Sequence, residues 1–181
     1  MARESKASPQ PVLLGLLLDQ PKHGYELYQE FSREMGRVWT IGLSQLYAQL
    51  KQLEEAGMVK TEVEPQANRP PRKVYHLTGE GSEFFMDWLH QPTPYLRYMR
   101  VDLLVRLYFF HRLQLPGLDQ FLAAQETVCR EQADRLGHLA ATAEDDFRRL
   151  VLEFRRGQLE AVIRWLDRCR EMMQKARQDS P

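Results

Sequence analysis

Ser44, Gln45, Tyr47, Ala48, Gln49, Lys51 and Gln52 are interleaved with Leu43, Leu46, Leu50 and Leu53, leucines that recur at steps of three, four and three residues. That spacing gathers the leucines on one face of a helix and leaves hydroxyl, amide and ammonium groups on the other. Such groups donate and accept hydrogen bonds toward base edges and phosphates, and a helix fits a major groove ~12 Å wide. The competing reading is a polar face that meets only solvent. Charge placement separates the two. Met35 to Leu53 holds Arg37 and Lys51 and no acid, and Pro65 to Leu77 holds Arg69, Arg72 and Lys73 and no acid. The first 95 residues nevertheless carry ten basic and twelve acidic side chains. Acids are thus kept out of two windows of a slightly acidic region, the pattern a DNA-facing surface requires.

Arg69, Arg72 and Lys73 flank a proline-stiffened tip suited to phosphates or a minor groove, although such a trio elsewhere is only a soluble hairpin. Lys22-His23-Gly24-Tyr25 opens a helix, where unpaired backbone N–H groups favour a phosphate, with a plain capping residue as the alternative for His23. Catalytic chemistry finds less support. His23, His76, His90, His111 and His138 fall on separate elements, and no HExxH, GxSxG or P-loop pattern occurs. No metal site or cofactor is expected. Glu144-Asp145-Asp146 reads as a solvated helix junction rather than a cation site. Trp39, Trp88 and Trp165 read as core or interface anchors. Cys129 and Cys169, forty residues apart, read as buried reduced thiols.

The elements that must position these groups follow from periodicity and punctuation. Ser8-Pro9 opens a short apolar helix over Val12 to Leu18, stopped by Asp19-Gln20-Pro21. A second helix spans Tyr25 to about Met35, with Leu27, Tyr28, Phe31 and Met35 on one side and Gly36 at its end. The third runs from Leu43 to Ala56 and stops at Gly57. Met58 to Glu64 and Arg72 to Leu77 alternate as two strands around a Pro65 to Pro71 turn. Thr78 caps a fourth helix, Glu80 to His90, with Phe84, Phe85, Trp88 and Leu89 inward. This order is that of a winged helix-turn-helix.

Gln91-Pro92-Thr93-Pro94 is the expected linker, dividing 1–94 from 95–181. Tyr98 to Leu113 is then one apolar-rich helix. Two long helices follow, one stepping through Leu118, Leu122, Gln125, Cys129, Gln132, Leu136, Leu139 and Ala143, the other through Phe147, Val151, Phe154, Gln158, Ala161, Trp165, Cys169 and Met172. These stripes make a coiled-coil-like seam between the two. Leu150, Val162, Leu166 and Met173 widen the second stripe beyond what one neighbouring helix covers, and the surplus predicts a second copy of the chain. The self-association face is assigned to Leu150, Phe154, Val162, Trp165, Leu166, Cys169 and Met173. The expected fold class is mainly α: a winged helix-turn-helix with a two-stranded wing, then an antiparallel long-helix dimerisation domain.

The 181 residues are 43% apolar and 28% charged, with 25 basic and 25 acidic side chains and no net charge. The balance is that of a globular protein and, at whole-chain scale, argues mildly against nucleic acid or an anionic membrane. The longest apolar run, Val12 to Leu18, is far below the ~20 residues a spanning helix needs. Met-Ala-Arg-Glu-Ser-Lys is followed by no secretory h-region and cleavage site. A cytoplasmic protein is expected, with no membrane partner.

The sequence resembles the PadR-like transcriptional regulators, in particular those with a long helical C-terminal region that include phenolic-acid repressors and virulence activators. The resemblance rests on LLGLL at 13–17, His23-Gly24-Tyr25-Glu26-Leu27, Trp39 followed by Ser44-Gln45-Leu46-Tyr47, the stretch Leu50 to Val59, and Arg72 to Gly81. It covers about residues 12–90. It implies a homodimeric DNA-binding regulator, and the expected function is a repressor acting on a pseudo-palindromic operator in double-stranded DNA. Ser44, Gln45, Tyr47 and Lys51 would enter the major groove, Arg69, Arg72 and Lys73 would lie on the wing, and His23 and Tyr25 near the backbone. The tip Asn68-Arg69-Pro70-Pro71-Arg72 departs from the glycine-rich form of relatives. A small aromatic or hydrophobic effector is also implied, with Trp88, Tyr95, Arg97, Tyr98 and Arg100 as candidate lining against a reading as hinge packing. The rival class is a winged-helix oligomeric adaptor that does not bind DNA.

Overall fold

Leucine and valine surround the first helix almost completely, so it can only be a core element, and so it is. In a computed structural model, which describes residues 8–66 and 69–178, with the side chains of residues 66, 69, 70 and 174–178 outside the description, α1 spans Gln10–Leu16. Its Val12, Leu13, Leu14 and Leu16 are essentially inaccessible. Helix α2 (Gly24–Met35) adds Leu27, Phe31 and Met35, and Trp39 meets the Phe31 ring edge-on at 5.8 Å. Helix α3 (Leu43–Glu55) buries Leu46, Leu50 and Leu53, as the leucine spacing predicts, while Leu43 in its first turn stays partly exposed.

Gly57 ends α3 for a conformational reason. Its φ is 73°, the Met58 N–H donates to Leu53 O at 2.9 Å and the Gly57 N–H to Glu54 O at 3.1 Å. This is a Schellman closure, which a left-handed glycine makes at little cost. The chain then enters β2 (Val59–Gln66) and returns as β3 (Arg69–Leu77), antiparallel, with Thr61 opposite Tyr75 and Glu64 opposite Arg72. Both strands run further toward the tip than alternation alone suggests, and an irregularity between Glu64 and Gln66 accommodates Pro65. A third strand, β1 (Lys22–His23), pairs with β3 through Lys22 opposite Tyr75 and His23 opposite Val74, giving the order β1-β3-β2 in place of the expected two-stranded wing. Thr78 caps α4 (Gly79–His90) by accepting the Gly81 N–H at 3.1 Å. Phe85 and Leu89 of α4 are buried, but Phe84, expected inward, is exposed.

The chain forms two compact units, and their division departs from the expected break at 94/95. Helix α5 (Leu96–Arg112) gives residues 100–109 to the first unit, with 1–90, while its ends join 91–95 and 113–181 in the second. In the first unit Phe109 packs edge-on against Phe85 at 5.1 Å. Gly15 of α1 makes room for it, because a Cβ there would stand 2.5 Å from the Phe109 ring.

The second unit is built on α6 (Leu118–Ala141) lying along α7 (Asp146–Gln178). Helix α6 buries Leu118, Phe121, Leu122, Gln125, Cys129, Ala133, Leu136 and Ala140. From α7 come Leu152, Leu159, Ile163 and Leu166. Gln125 is a buried polar residue with a structural task. Its side-chain oxygen accepts the Thr93 N–H at 2.7 Å and its side-chain nitrogen donates to Thr93 O at 3.1 Å, pinning the linker segment to α6. Gln125→Met keeps the volume and strands both backbone groups, so we expect a loss of about 2 kcal/mol in denaturant unfolding. An unchanged midpoint would show that water replaces the amide.

Candidate nucleic-acid interface

Three elements bring the sequence-selected groups to one side of the first unit. Helix α3 presents Ser44, Gln45 and Lys51 to solvent, because the buried Leu46, Leu50 and Leu53 fix its rotation. Tyr47 projects from the same face, 42% exposed, and its ring lies on Gly24 at the start of α2, where a Cβ would be 2.6 Å from Tyr47 Cε1. Strand β3 supplies Arg72 and Lys73, both exposed, and the side chain of Arg69 lies outside the described residues. Between them is a cavity of about 430 Å³ lined by His23, Tyr25, Tyr47, Arg72, Lys73 and Tyr75. Tyr25 is exposed at its rim, whereas Tyr75 is buried, which pushes its phenol pKa up. The sequence did not single out Tyr75, and only its register opposite Lys22 and Thr61 places it here.

The first turn of α2 is less open than an uncapped helix start. The His23 N–H donates to Glu26 Oε2 at 2.8 Å, so the Glu26 carboxylate takes one of the donors that a phosphate would use. His23 Nδ1 lies 3.4 Å from Lys73 O and its Nε2 3.6 Å from Glu64.

The acid-free windows of the sequence are not acid-free in space. Lys51 Nζ is 3.6 Å from Glu55 one turn along α3. Lys73 Nζ is 3.3 Å from Glu54, whose other carboxylate oxygen accepts the Thr61 hydroxyl at 2.5 Å. The Thr61 hydrogen bond first, and Lys73 after it, hold the Glu54 carboxyl below the usual carboxylate range against the opposing effect of burial. Glu54 thereby ties the last turn of α3 to both wing strands. His76 Nε2 similarly lies 3.4 Å from Glu62.

The candidate effector residues do not share one setting. Trp88, in the first unit, carries the Arg106 guanidinium 4.1 Å over its ring, and its carbonyl accepts Arg106 Nε at 3.1 Å. Burial pushes Arg106 down to about 10, despite Asp102 at 3.9 Å. Arg100 of the same unit is exposed. In the second unit Tyr95 and Tyr98 meet edge-on at 6.0 Å with Arg97 over both rings. Each of these aromatic rings is therefore engaged by a local partner.

The assigned self-association residues also divide. Leu166 is fully buried within the chain, and Val162, Cys169 and Met173 are half-buried, so Leu166 is withdrawn from the outer face. Leu150, Phe154 and Trp165 are exposed, joined by Phe147, Val151 and Met172, for which the sequence spacing predicts a place in the seam with α6. The physical reason is that α7 carries two apolar stripes. The aliphatic one, Leu152-Leu159-Ile163-Leu166, faces α6, and the heptad-spaced aromatic one is left outside. Asp145 of the Glu144-Asp146 junction accepts the Arg148 N–H at 2.6 Å, the capping role expected of a helix start. Among the described residues no group of three or more His, Cys, Asp or Glu is gathered as metal ligands, and no helix is long and apolar enough to cross a membrane.

Comparison with known proteins matches residues 13–87 to the transcriptional regulator PadR-like family and residues 99–174 to the virulence activator alpha C-terminal family. The negative transcriptional regulator PadR of Bacillus subtilis is 32% identical over 99 residues, 54% of this chain and 53% of that protein. A probable transcriptional regulator of Mycobacterium tuberculosis is 33% identical over 86 residues, 48% of this chain and 45% of that protein. The chain thus spans about half the length of these curated relatives in the matched regions. Among solved structures, B. subtilis PadR in complex with operator DNA aligns with a TM-score of 0.49 at 22% identity, over 94% of this chain and 99% of that one.

Proposed function

Because residues 13–87 belong to the PadR-like family of transcriptional regulators and residues 99–174 to the virulence activator alpha C-terminal family, we propose that this protein is a homodimeric, DNA-binding repressor of transcription. The observation that carries the reading is the convergence of α3, the start of α2 and β3 around one cavity. Tyr47 is the α3 residue in its lining, Arg72 and Lys73 line it from β3 for phosphates, and Ser44 and Gln45 stand exposed in the first turn of α3 for base edges. Ser44 and Gln45, near the N-terminus of α3, are the base-reading pair, and Tyr47 wedges the helix against α2. Repression is the sign we assign, following the negative regulator of B. subtilis.

The second copy supplies the other half-site. The exposed stripe of α7 is its own complement when two helices run antiparallel about an axis between Leu159 and Glu160. Phe147 then faces the partner's Met172, Phe154 the partner's Trp165, and Gln158 the partner's Ala161. The small residues Gly157 and Ala161 fall at the centre, where the backbones come closest, and the aromatic residues flank them. Two heads so joined address successive major-groove faces ~34 Å apart.

The test is a gel-shift titration of the purified protein on its own upstream region at several salt concentrations. Binding that weakens steeply with salt is expected, with Arg72→Ala reducing the slope by about 1. No shift at low salt would favour the adaptor reading. Gly24→Ala gives a finer check: the added methyl must displace Tyr47, costing about 1 kcal/mol of stability and weakening DNA binding with the helical circular dichroism unchanged. Wild-type affinity in that variant would remove Tyr47 from the interface.

A further inference from the structure

A surface that attracts DNA by charge alone binds every sequence, and this one is built to limit that attraction. Lys73 of β3 lines the cavity and Lys51 stands one helical turn beyond Tyr47 on α3, and each has a carboxylate of α3 within ion-pair distance: Glu55 at 3.6 Å from Lys51 and Glu54 at 3.3 Å from Lys73. Neither pair is buried. Lys73 and Glu54 remain about half and one-third exposed, so their mutual attraction adds little to stability. Their consequence lies in the field that an approaching duplex meets. A lysine already paired with a carboxylate brings almost no net charge to a phosphate, and the counterions it would displace stay in place.

We propose that Glu54, with Glu55 beside it, is a specificity-determining residue that neutralises Lys73 and Lys51 at the reading surface and suppresses binding to DNA of arbitrary sequence. The inference rests on the DNA-binding reading above. Glu54 is built for this more firmly than a stray surface acid. The Thr61 hydroxyl fixes one carboxylate oxygen at 2.5 Å, which aims the other at Lys73 across the wing. Such a carboxylate stays ionised throughout the physiological range, since its pKa is lowered. A correct operator compensates through base contacts from Ser44 and Gln45. Base contacts that seat α3 in the groove bring phosphates close enough for Lys51 and Lys73 to exchange these exposed, weak pairs for them, whereas a duplex held by charge alone leaves both lysines paired, so the acids penalise wrong sequences more than the right one. The whole-chain charge of zero then has a local counterpart, a reading head whose Lys51 and Lys73 are matched by acids from its own recognition helix.

The experiment compares the full-length wild type with Glu54→Gln and Glu55→Gln, by fluorescence anisotropy, on a random-sequence duplex and on the duplex that the wild type selects from a random library. Gln at 54 retains an acceptor for Thr61 and removes only the charge. Glu54→Gln should bind the random duplex several-fold more tightly and steepen its salt slope by about 1, with a smaller gain on the selected duplex. Adding Lys73→Gln to Glu54→Gln should return the slope to the wild-type value. Glu55→Gln, on the exposed face of α3, should steepen the slope in the same way and serves if Glu54→Gln does not fold. Equal or weaker binding of the folded variants to random DNA, or equal gains on both duplexes, overturns the proposal. If the wild type binds no duplex at low salt, the DNA-binding reading falls and this inference with it, an outcome distinct from unchanged variants of a binding protein.

Discussion

Phe109→Ala should lower the stability of the first unit by about 3–5 kcal/mol, as expected for deletion of a fully buried aromatic ring. The ring stands edge-on to Phe85 and fills the space that Gly15 leaves open on α1, so the cavity made by its removal has rigid walls on two sides. Leu103 and Val105, also from the middle of α5, are buried in the same unit. The chain has three tryptophans, and Trp39 and Trp88 lie in the first unit while Trp165 lies in the second. In a Trp165→Phe background, tryptophan fluorescence therefore reports the first unit alone. Phe109→Ala should shift its denaturant midpoint by the amount above. A chain ending at residue 94 should lack a cooperative transition altogether, and one ending at 112 should regain it. A fragment 1–94 that unfolds as cooperatively as the whole chain would show that residues 100–109 are dispensable to that core.

Those residues also mark where the sequence stops being informative. Helix α3 was legible because one face is leucine and the other is not, and its end because Gly57 alone accepts the left-handed turn. The Thr78 cap was equally local. Helix α5 is apolar on several faces, so its periodicity could show that it is buried but not where. Strand β1 is two residues long, and its pairing with Val74 and Tyr75 depends on a partner fifty residues away that no local pattern announces. Phe84 looked like a core residue by type, but α4 turns it outward once Phe85 and Leu89 have taken the buried face.

The site shows the same division between local chemistry and distant pairing. Residue types around Ser44, Gln45, Lys51, Arg72 and Lys73 were enough to single out exposed polar and basic groups on α3 and β3. The partners of its cations were not visible, because Glu54 meets Lys73 only when the wing folds back on α3, and His23 meets Glu64 only through the same hairpin. Counting charges along windows of sequence therefore overstated the positive field.

If the chain pairs as proposed, Phe154→Asp should dissociate that homodimer and reduce affinity for its operator by about 10²–10⁴-fold, the loss expected when two linked heads become independent. Phe154 is 67% exposed and sits in the outer stripe of α7, and the proposed antiparallel register sets it opposite the partner's Trp165. A two-fold interface carries each substitution twice, so two aromatic anchors are lost, about 1.5–3 kcal/mol for each, and two carboxylates must be desolvated for the faces to meet. Sedimentation equilibrium should find the variant as a monomer at concentrations where the wild type is a dimer, with its helical content and thermal unfolding near those of the isolated chain. Leu166→Ala, one residue from Trp165 but on the stripe buried against α6, should behave in the opposite way. It should cost about 2–5 kcal/mol of stability and leave the mass of the folded species unchanged. The contrast distinguishes the two stripes, since general damage to α7 would affect folding and association together. If Phe154→Asp sediments as the wild type does, the outer face of α7 is not where the second copy binds.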